Sequence, residues 1–208
     1  MNTPPLIDAP GLRAAGRQPA LPCRIALHDG RELSLLRLLR VLPGKRIVGE
    51  GEFEGRRVLA KLFVASGSER HWQQEAGGIA ALLAAGIPTP AVIASSPLAG
   101  RGHALLTEFL PDATSLSGAW QALAGRAAGD AEALALLSSA VALLARMHVA
   151  GLSQGDQHLG NFLEQSETLF VIDGDSIRSA GRALATDEAT ANLGMLLAQL
   201  PASWDSQT

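Results

Sequence analysis

Asp156 and Asn161 stand five residues apart in the run Gly151-Leu-Ser-Gln-Gly-Asp-Gln-His-Leu-Gly-Asn-Phe-Leu163, and Asp173 follows the short apolar run 169–172. That order suits phosphoryl transfer from ATP. One carboxylate orients an attacking hydroxyl, while an amide oxygen and a second carboxylate hold Mg2+ on the phosphates. Each residue alone means little; the ordered set carries the reading.

Two upstream residues break their local pattern. Lys61 sits in Val58-Leu-Ala-Lys-Leu-Phe-Val64, a strand-like run whose two faces are otherwise apolar. Glu75 lies between Trp72 and Ile79 on the stripe of a helical pattern that ought to be buried. Each needs a counter-charge, and the simplest arrangement is that they meet. A buried ion pair adds little net stability, so a functional role, a strand lysine steadied by a helix glutamate and aimed at nucleotide phosphates, explains it better. The competing reading is a lysine that snorkels from an edge strand and a half-exposed glutamate.

The elements that must carry these groups can be read in outline. Residues 1–38 read as a partly loose extension punctuated by Pro4, Pro5, Pro10, Pro19 and Pro22, with a strand or short helix at its end. An antiparallel meander follows: an apolar run to Leu42, a turn at Pro43-Gly44-Lys45, a strand over 46–53, a turn at Glu54-Gly55 and a strand over 57–64. Ser66-Gly-Ser-Glu69 offers a capping box for a helix carrying Trp72, Ala76, Ile79, Leu82 and Leu83 at helical spacing until Gly86. Strand-like segments recur at 91–95 and 103–109, then helical patterns at 115–128, 131–149 and 190–200, with 203–208 reading as a frayed tail. Gly49-Glu-Gly51 reads as a bulge or turn in a strand and is too weak for a phosphate loop.

Composition sets the bounds. The chain has 208 residues, 47% hydrophobic, with a formal charge of −3. It can bury a substantial core but is short for two large domains. A single cysteine, Cys23, and a start without a basic segment leading into an apolar run point to a reducing cytoplasm. The apolar stretch 131–150 is interrupted by Glu132, Ser138, Ser139, Arg146 and His148, so a core helix is expected there. Residues 1–70 hold 12 of the 17 Lys and Arg but only 7 of the 20 Asp and Glu. The basic part suits an anionic ligand or surface, the acidic part metal-binding carboxylates; ordinary solvated charge is the plain alternative.

Val58-Leu-Ala-Lys61, Glu75 in Trp72-Gln-Gln-Glu-Ala76, and Gln154-Gly-Asp156 through Asp175 resemble the protein-kinase-like superfamily. The wording Gly-Asp-x-His-x-Gly-Asn-Phe-Leu and the segment Ala-Gly-Ile-Pro-Thr-Pro at 85–90 are most similar to the bacterial lipopolysaccharide core kinases, which phosphorylate Kdo or heptose. The resemblance runs from about 39 to 200. It implies an α+β, two-lobed fold with a small antiparallel-sheet N-lobe bearing one helix (39–110, including the hinge) and a shortened helical C-lobe (111–208), one catalytic domain in all.

It also implies roles. Asp156 accepts or orients the acceptor proton; Asn161 and Asp173 bind Mg2+; Lys61 holds the ATP phosphates and Glu75 positions Lys61. Residues 105–110 resemble the interlobe hinge, so the main chain at Glu108 and Leu110 would meet adenine. His158 reads as a donor on the phosphate side or a solvated histidine, and Asp175 as a further metal contact or a turn cap. No G-x-G-x-x-G loop is present; Lys45 and Arg46 at the hairpin tip are expected to contact ATP phosphate or an anionic acceptor. Gln154 replaces the usual histidine of the catalytic loop, and no Ala-Pro-Glu segment follows Asp175, which disfavours a protein acceptor.

The expected activity is thus ATP- and Mg2+-dependent phosphorylation of a lipid-linked lipopolysaccharide core sugar in the cytoplasm, with peripheral contact at the inner membrane and no nucleic-acid partner. Oligomeric state is not legible. A small protein or other small-molecule kinase of the same fold, and a nucleotide-binding pseudokinase, are the alternatives.

Overall fold

The computed structural model describes residues 4–123, 126 and 129–200. The chain folds as two compact units, Met1–Ala76 with Ala91–Phe109, and Gly77–Pro90 with Leu110–Thr208.

The first unit contains β1 (Leu6–Ile7), α1 (Ala9–Ala14), β2 (Cys23–Ala26), β3 (Glu32–Leu42), β4 (Arg46–Phe53), β5 (Arg56–Phe63), the first half of α2 (Glu69–Ala84), β6 (Val92–Pro97) and β7 (His103–Glu108). The strands form one seven-stranded sheet in the order β1-β2-β3-β4-β5-β7-β6. Every pairing is antiparallel except β1 with β2. One face buries Leu33, Leu35, Ile47, Val58, Ala60, Leu62 and Leu106, the alternate residues of their strands.

The extension expected to be partly loose is ordered from β1 onward. Leu6 and Ile7 pair with Arg24 and Ile25, and α1 buries Ala9 and Leu12 in the sheet core. Pro10, a break by its residue type alone, stands in the first turn of α1, where a missing N–H costs nothing. The helix is capped by Asp8, which accepts from the Gly11 amide at 2.9 Å. Arg13 ties it down by donating to the Val64 carbonyl at 2.7 Å.

Gly49 and Gly51 lie in the regular pairing of β4 with β5, with no turn. The irregularities lie across from them, where β3 skips register at Leu36 and Leu39. A Cβ on Gly49 would come 2.5 Å from the Arg37 carbonyl oxygen, and one on Gly51 2.6 Å from that of Ser34. The glycines therefore make room for a bulged neighbour.

α2 starts at Glu69, so Ser66 and Glu69 do not take the N-cap and third-residue places of the expected capping box; the Ser68 hydroxyl donates to the Phe63 carbonyl at 3.2 Å. Leu83 is 45% exposed rather than on the buried stripe.

The second unit holds the rest of α2, β8 (Thr114–Ser115), α3 (Leu116–Ala122), α4 (Ala131–Val149), β9 (Leu152–Gln154), β10 (Phe162–Gln165), β11 (Thr168–Val171), β12 (Ile177–Ser179) and α5 (Thr186–Leu197). α3 is shorter than its pattern, capped by the Ser115 hydroxyl on the Gly118 amide. Part of the remainder of that pattern, and the tail 203–208, lie outside the described residues.

Asp130 caps α4 through the amides of Glu132 and Ala133. α4 is the one helix among the described residues long and apolar enough to cross a membrane, yet Ala133, Leu137, Ala140, Leu143, Leu144 and Met147 form a stripe packed into this unit's core. Leu82, Leu152, Phe162, Val171 and Leu196 complete that core around the segment that carries Asp156 and Asn161.

Candidate active site

In the first unit Lys61 and Glu75 meet as the sequence pattern requires: the lysine Nζ donates to the glutamate Oε1, with side chains 12% and 1% exposed. β5 pairs with β4 so that Lys61 faces Val48 and Leu59 faces Glu50, which puts Lys61 and Glu50 on the same face of the sheet. Glu50 accepts from Arg57, and from Arg37 at 2.8 and 3.1 Å. Those guanidiniums, Arg57 first, hold its carboxyl below the usual carboxylate range. Arg57 in turn lies 4.1 Å from the ring centre of Phe109. This cluster was not foreseen; three alternating charges on adjacent strands were the available signal.

Lys45 is exposed at the β3–β4 turn, while Arg46 lies over the Phe63 ring at 5.9 Å. Glu108 ends β7 with its amide given to the Ala91 carbonyl (3.0 Å) and its carboxylate accepting from the Ala91 amide (3.1 Å). Its N–H is therefore already used within the fold. Leu110 opens the second unit, half-buried. Trp72 stacks on His103 at 4.3 Å and donates to Ser95 at 2.9 Å.

In the second unit the loop after β9 carries Asp156 with its side chain 72% exposed. His158 Nε2 lies 3.7 Å from the Asp156 carboxylate. Asn161 is buried in a 3₁₀ turn, Leu159–Asn161, and its Nδ2 donates to the Asp156 main-chain carbonyl at 2.7 Å. Its own carbonyl accepts from the Ile172 amide at 2.9 Å, and the Gln154 side chain donates to the Ile172 carbonyl at 2.9 Å. The first of these bonds pins the loop bearing Asp156 upon itself, and the other two join it to the turn bearing Asp173. Gln154 supplies this bracing in place of a histidine, with its Oε1 buried and unpartnered.

Asp173 takes a left-handed conformation (φ 72, ψ 65), an unfavoured state that aspartate tolerates and that recurs at functional sites. Its carboxylate and that of Asp175 lie within 4.8 Å of each other. The donors suit a hard divalent cation: carboxylate oxygens at 173 and 175, and an Asn161 amide whose nitrogen is spent on Asp156, leaving its oxygen as the ligand atom.

α5 steadies the loop from behind. Asn192 donates to the Gln154 carbonyl at 2.8 Å, with its Oδ1 3.0 Å from His148 Nε2. Gln199, just past the helix, donates to the Gln157 carbonyl at 2.8 Å and accepts from the Leu159 amide at 3.2 Å. Sequence reasoning missed both residues.

No protein-family model matches the chain, and no curated protein sequence matches it. Solved structures do. WaaP in complex with acyl carrier protein aligns at TM-score 0.58 and 24% identity over 77% of this chain and 69% of that one. Vaccinia related kinase 3 aligns at 0.54 and 12% over 84% and 57%, and the kinase domain of Mycobacterium tuberculosis PknI at 0.50 and 16% over 76% and 64%. These likenesses establish the fold: mixed α+β, of the protein-kinase-like kind.

Proposed function

We propose that this chain, built on the protein-kinase-like fold, is an ATP-dependent kinase that phosphorylates a sugar hydroxyl of the lipopolysaccharide core, Kdo or heptose. The observation that carries the reading is the braced pair of segments in the second unit. An exposed Asp156 carboxylate sits on a loop whose main chain is pinned by Asn161 and bonded to the turn of Asp173. Catalysis of phosphoryl transfer is mostly positioning and charge stabilisation, and such bracing supplies the first.

In this reading Asp156 orients the acceptor hydroxyl and takes its proton, with His158 as a donor toward the transferred phosphoryl. Asn161 and Asp173, with Asp175 beside them, hold Mg2+, which when bound neutralises charge on the phosphates. Lys61, steadied by Glu75, takes the α- and β-phosphates, and Lys45 a further phosphate or the acceptor. Main-chain groups at Glu108 and Leu110 meet the adenine; the Glu108 amide is already bonded, and its carbonyl, which accepts only a long contact from the Thr107 hydroxyl (3.5 Å), keeps a lone pair for the base.

The sugar acceptor is supported by the motif wording at 155–163. The basic first seventy residues support work at the cytoplasmic face of the inner membrane, since each basic group near anionic lipid contributes about 1 kcal/mol. Sedimentation unaffected by anionic vesicles would remove that part.

The test is phosphate transfer from Mg–ATP to dephosphorylated lipopolysaccharide core, beside Asp156→Asn. The expected outcome is core-dependent incorporation that falls by about 10²–10⁴ in the variant while nucleotide affinity is kept. Equal transfer by both proteins would refute the role of Asp156, and nucleotide binding without transfer would refute the acceptor.

A further inference from the structure

β9 and β12 form a two-stranded ribbon in which Arg178 lies opposite Ser153. A groove of about 350 Å³ is lined by this ribbon and by α5, and Gly155, the residue before Asp156, forms part of its wall. The Gly155 amide donates to the Ser176 carbonyl at 2.8 Å, which fastens that wall to the segment leading into Arg178.

Arg178 is held in an unusual way. One nitrogen, Nη1, donates to the carbonyls of Asp175 (2.8 Å) and Ile177 (2.9 Å). Among the described residues its Nε and Nη2 make no hydrogen bond, and no carboxylate pairs with it. The acid lining the same groove, Glu188, is already engaged by both terminal nitrogens of Arg182. The unspent Nε–Nη2 edge is the one that meets a carboxylate or phosphate with two parallel hydrogen bonds. Because main-chain carbonyls fix the guanidinium, less side-chain entropy remains to be lost on binding.

The rest of the groove is not that of a bare anion site. Ser153, directly across the ribbon from Arg178, and Ser179 also line it, and Met195, 44% exposed, offers an apolar surface. Hydroxyl partners, one apolar face and one paired-donor edge match a sugar ring that carries an acidic group.

We propose that this groove is the acceptor subsite and that it selects a sugar bearing a carboxylate or a phosphate, with Arg178 as the residue that reads the anionic group. The inference rests on the kinase reading above and narrows its acceptor to acidic sugars. A neutral sugar offers the guanidinium only single, uncharged hydroxyl acceptors in place of a charge-assisted pair, which disfavours it.

Glucuronate and glucose, which differ by a carboxylate in place of a hydroxymethyl group, provide the test on the full chain by saturation-transfer NMR at millimolar concentration. Glucose 6-phosphate distinguishes a phosphate from a carboxylate as the group read, and inorganic phosphate is the competitor. Glucuronate or glucose 6-phosphate should bind where glucose does not, and be displaced by phosphate. Binding should weaken by about 10- to 100-fold in Arg178→Ala, and to a smaller extent in Arg178→Lys, which keeps the charge but loses the paired edge. Equal binding of all three sugars, no binding of either acidic sugar, or unaltered affinity in Arg178→Ala would overturn the proposal. Mg–ATP affinity on the same samples reports folding. Nucleotide binding and transfer without preference for an acidic sugar would sink the subsite alone and leave the kinase reading standing.

Discussion

A Cβ placed on Gly78 would lie 1.9 Å from the carbonyl oxygen of Gly174, so the second half of α2 touches main chain to main chain the turn that holds Asp173 and Asp175. Helix interiors disfavour glycine by about 1 kcal/mol relative to alanine. Here the cost is offset by an approach that no other residue permits.

Gly78→Ala must therefore push the turn away, and its expected effect is loss of Mg2+-dependent nucleotide binding together with a lowered melting temperature. Gly77, its exposed neighbour, has nothing within 4 Å of an added Cβ. Gly77→Ala should stabilise the helix by about 1 kcal/mol and raise the melting temperature by roughly 2–4 °C. Thermal melts and nucleotide titration of the two variants side by side check both halves; identical behaviour would refute the close-approach account.

Lys61→Met takes from the Glu75 carboxylate, 1% exposed, the ammonium that donates to it. Stability should fall by about 3–5 kcal/mol, the usual cost of removing one member of a buried ion pair. Combining it with Glu75→Leu should restore most of that stability and none of the ATP turnover. Urea unfolding and turnover of the single and double variants give the comparison; a double variant that regained activity would show the pair to be structural only.

Glu188 closes the first turn of α5, accepting from the Ala185 amide at 2.7 Å and from Arg182 at 2.7 and 2.9 Å. Arg182 first, then the Ala185 amide, lower its pKa from the usual 4.5 to about 2. A depressed acid contributes stability that is present above its unfolded value and lost as pH falls through the folded one. The support for α5 should thus fade between about pH 4.5 and 2, and the pair is exposed, so added salt should weaken it. Amide exchange in the first turn of α5 should show this pH dependence in the native chain and lose it in Glu188→Gln.

The Lys61–Glu75 pairing was legible in the sequence. Lys61 and Glu75 announced each other because an ionised group on an apolar strand or stripe has no stable solution except a partner. The strands from Arg46 to Phe63 and the helix of Ala131–Val149 were readable because period-two and period-3.6 patterns are local. The N-terminal segment was misread because β1 and α1 are held by non-local contacts, a parallel pairing to β2 and burial of Ala9 and Leu12, while their prolines looked like breaks. Gly78, Asn192 and Gln199 escaped notice for a related reason. Their work is done against main-chain atoms far along the chain, and main-chain atoms leave no sequence signature.

The order of residue types along the chain was enough to set the chemistry available here: which carboxylates, amide and lysine exist, and at what spacing, since those are properties of covalent structure. Folding in three dimensions settled the rest: Asn161 turns its amide nitrogen to Asp156, Gln154 braces Ile172, a glycine contact seats the Asp173 turn, and Arg178 keeps one edge unspent. Those are outcomes of close packing and hydrogen-bond geometry between segments distant in sequence, and they exist only once the whole chain has folded.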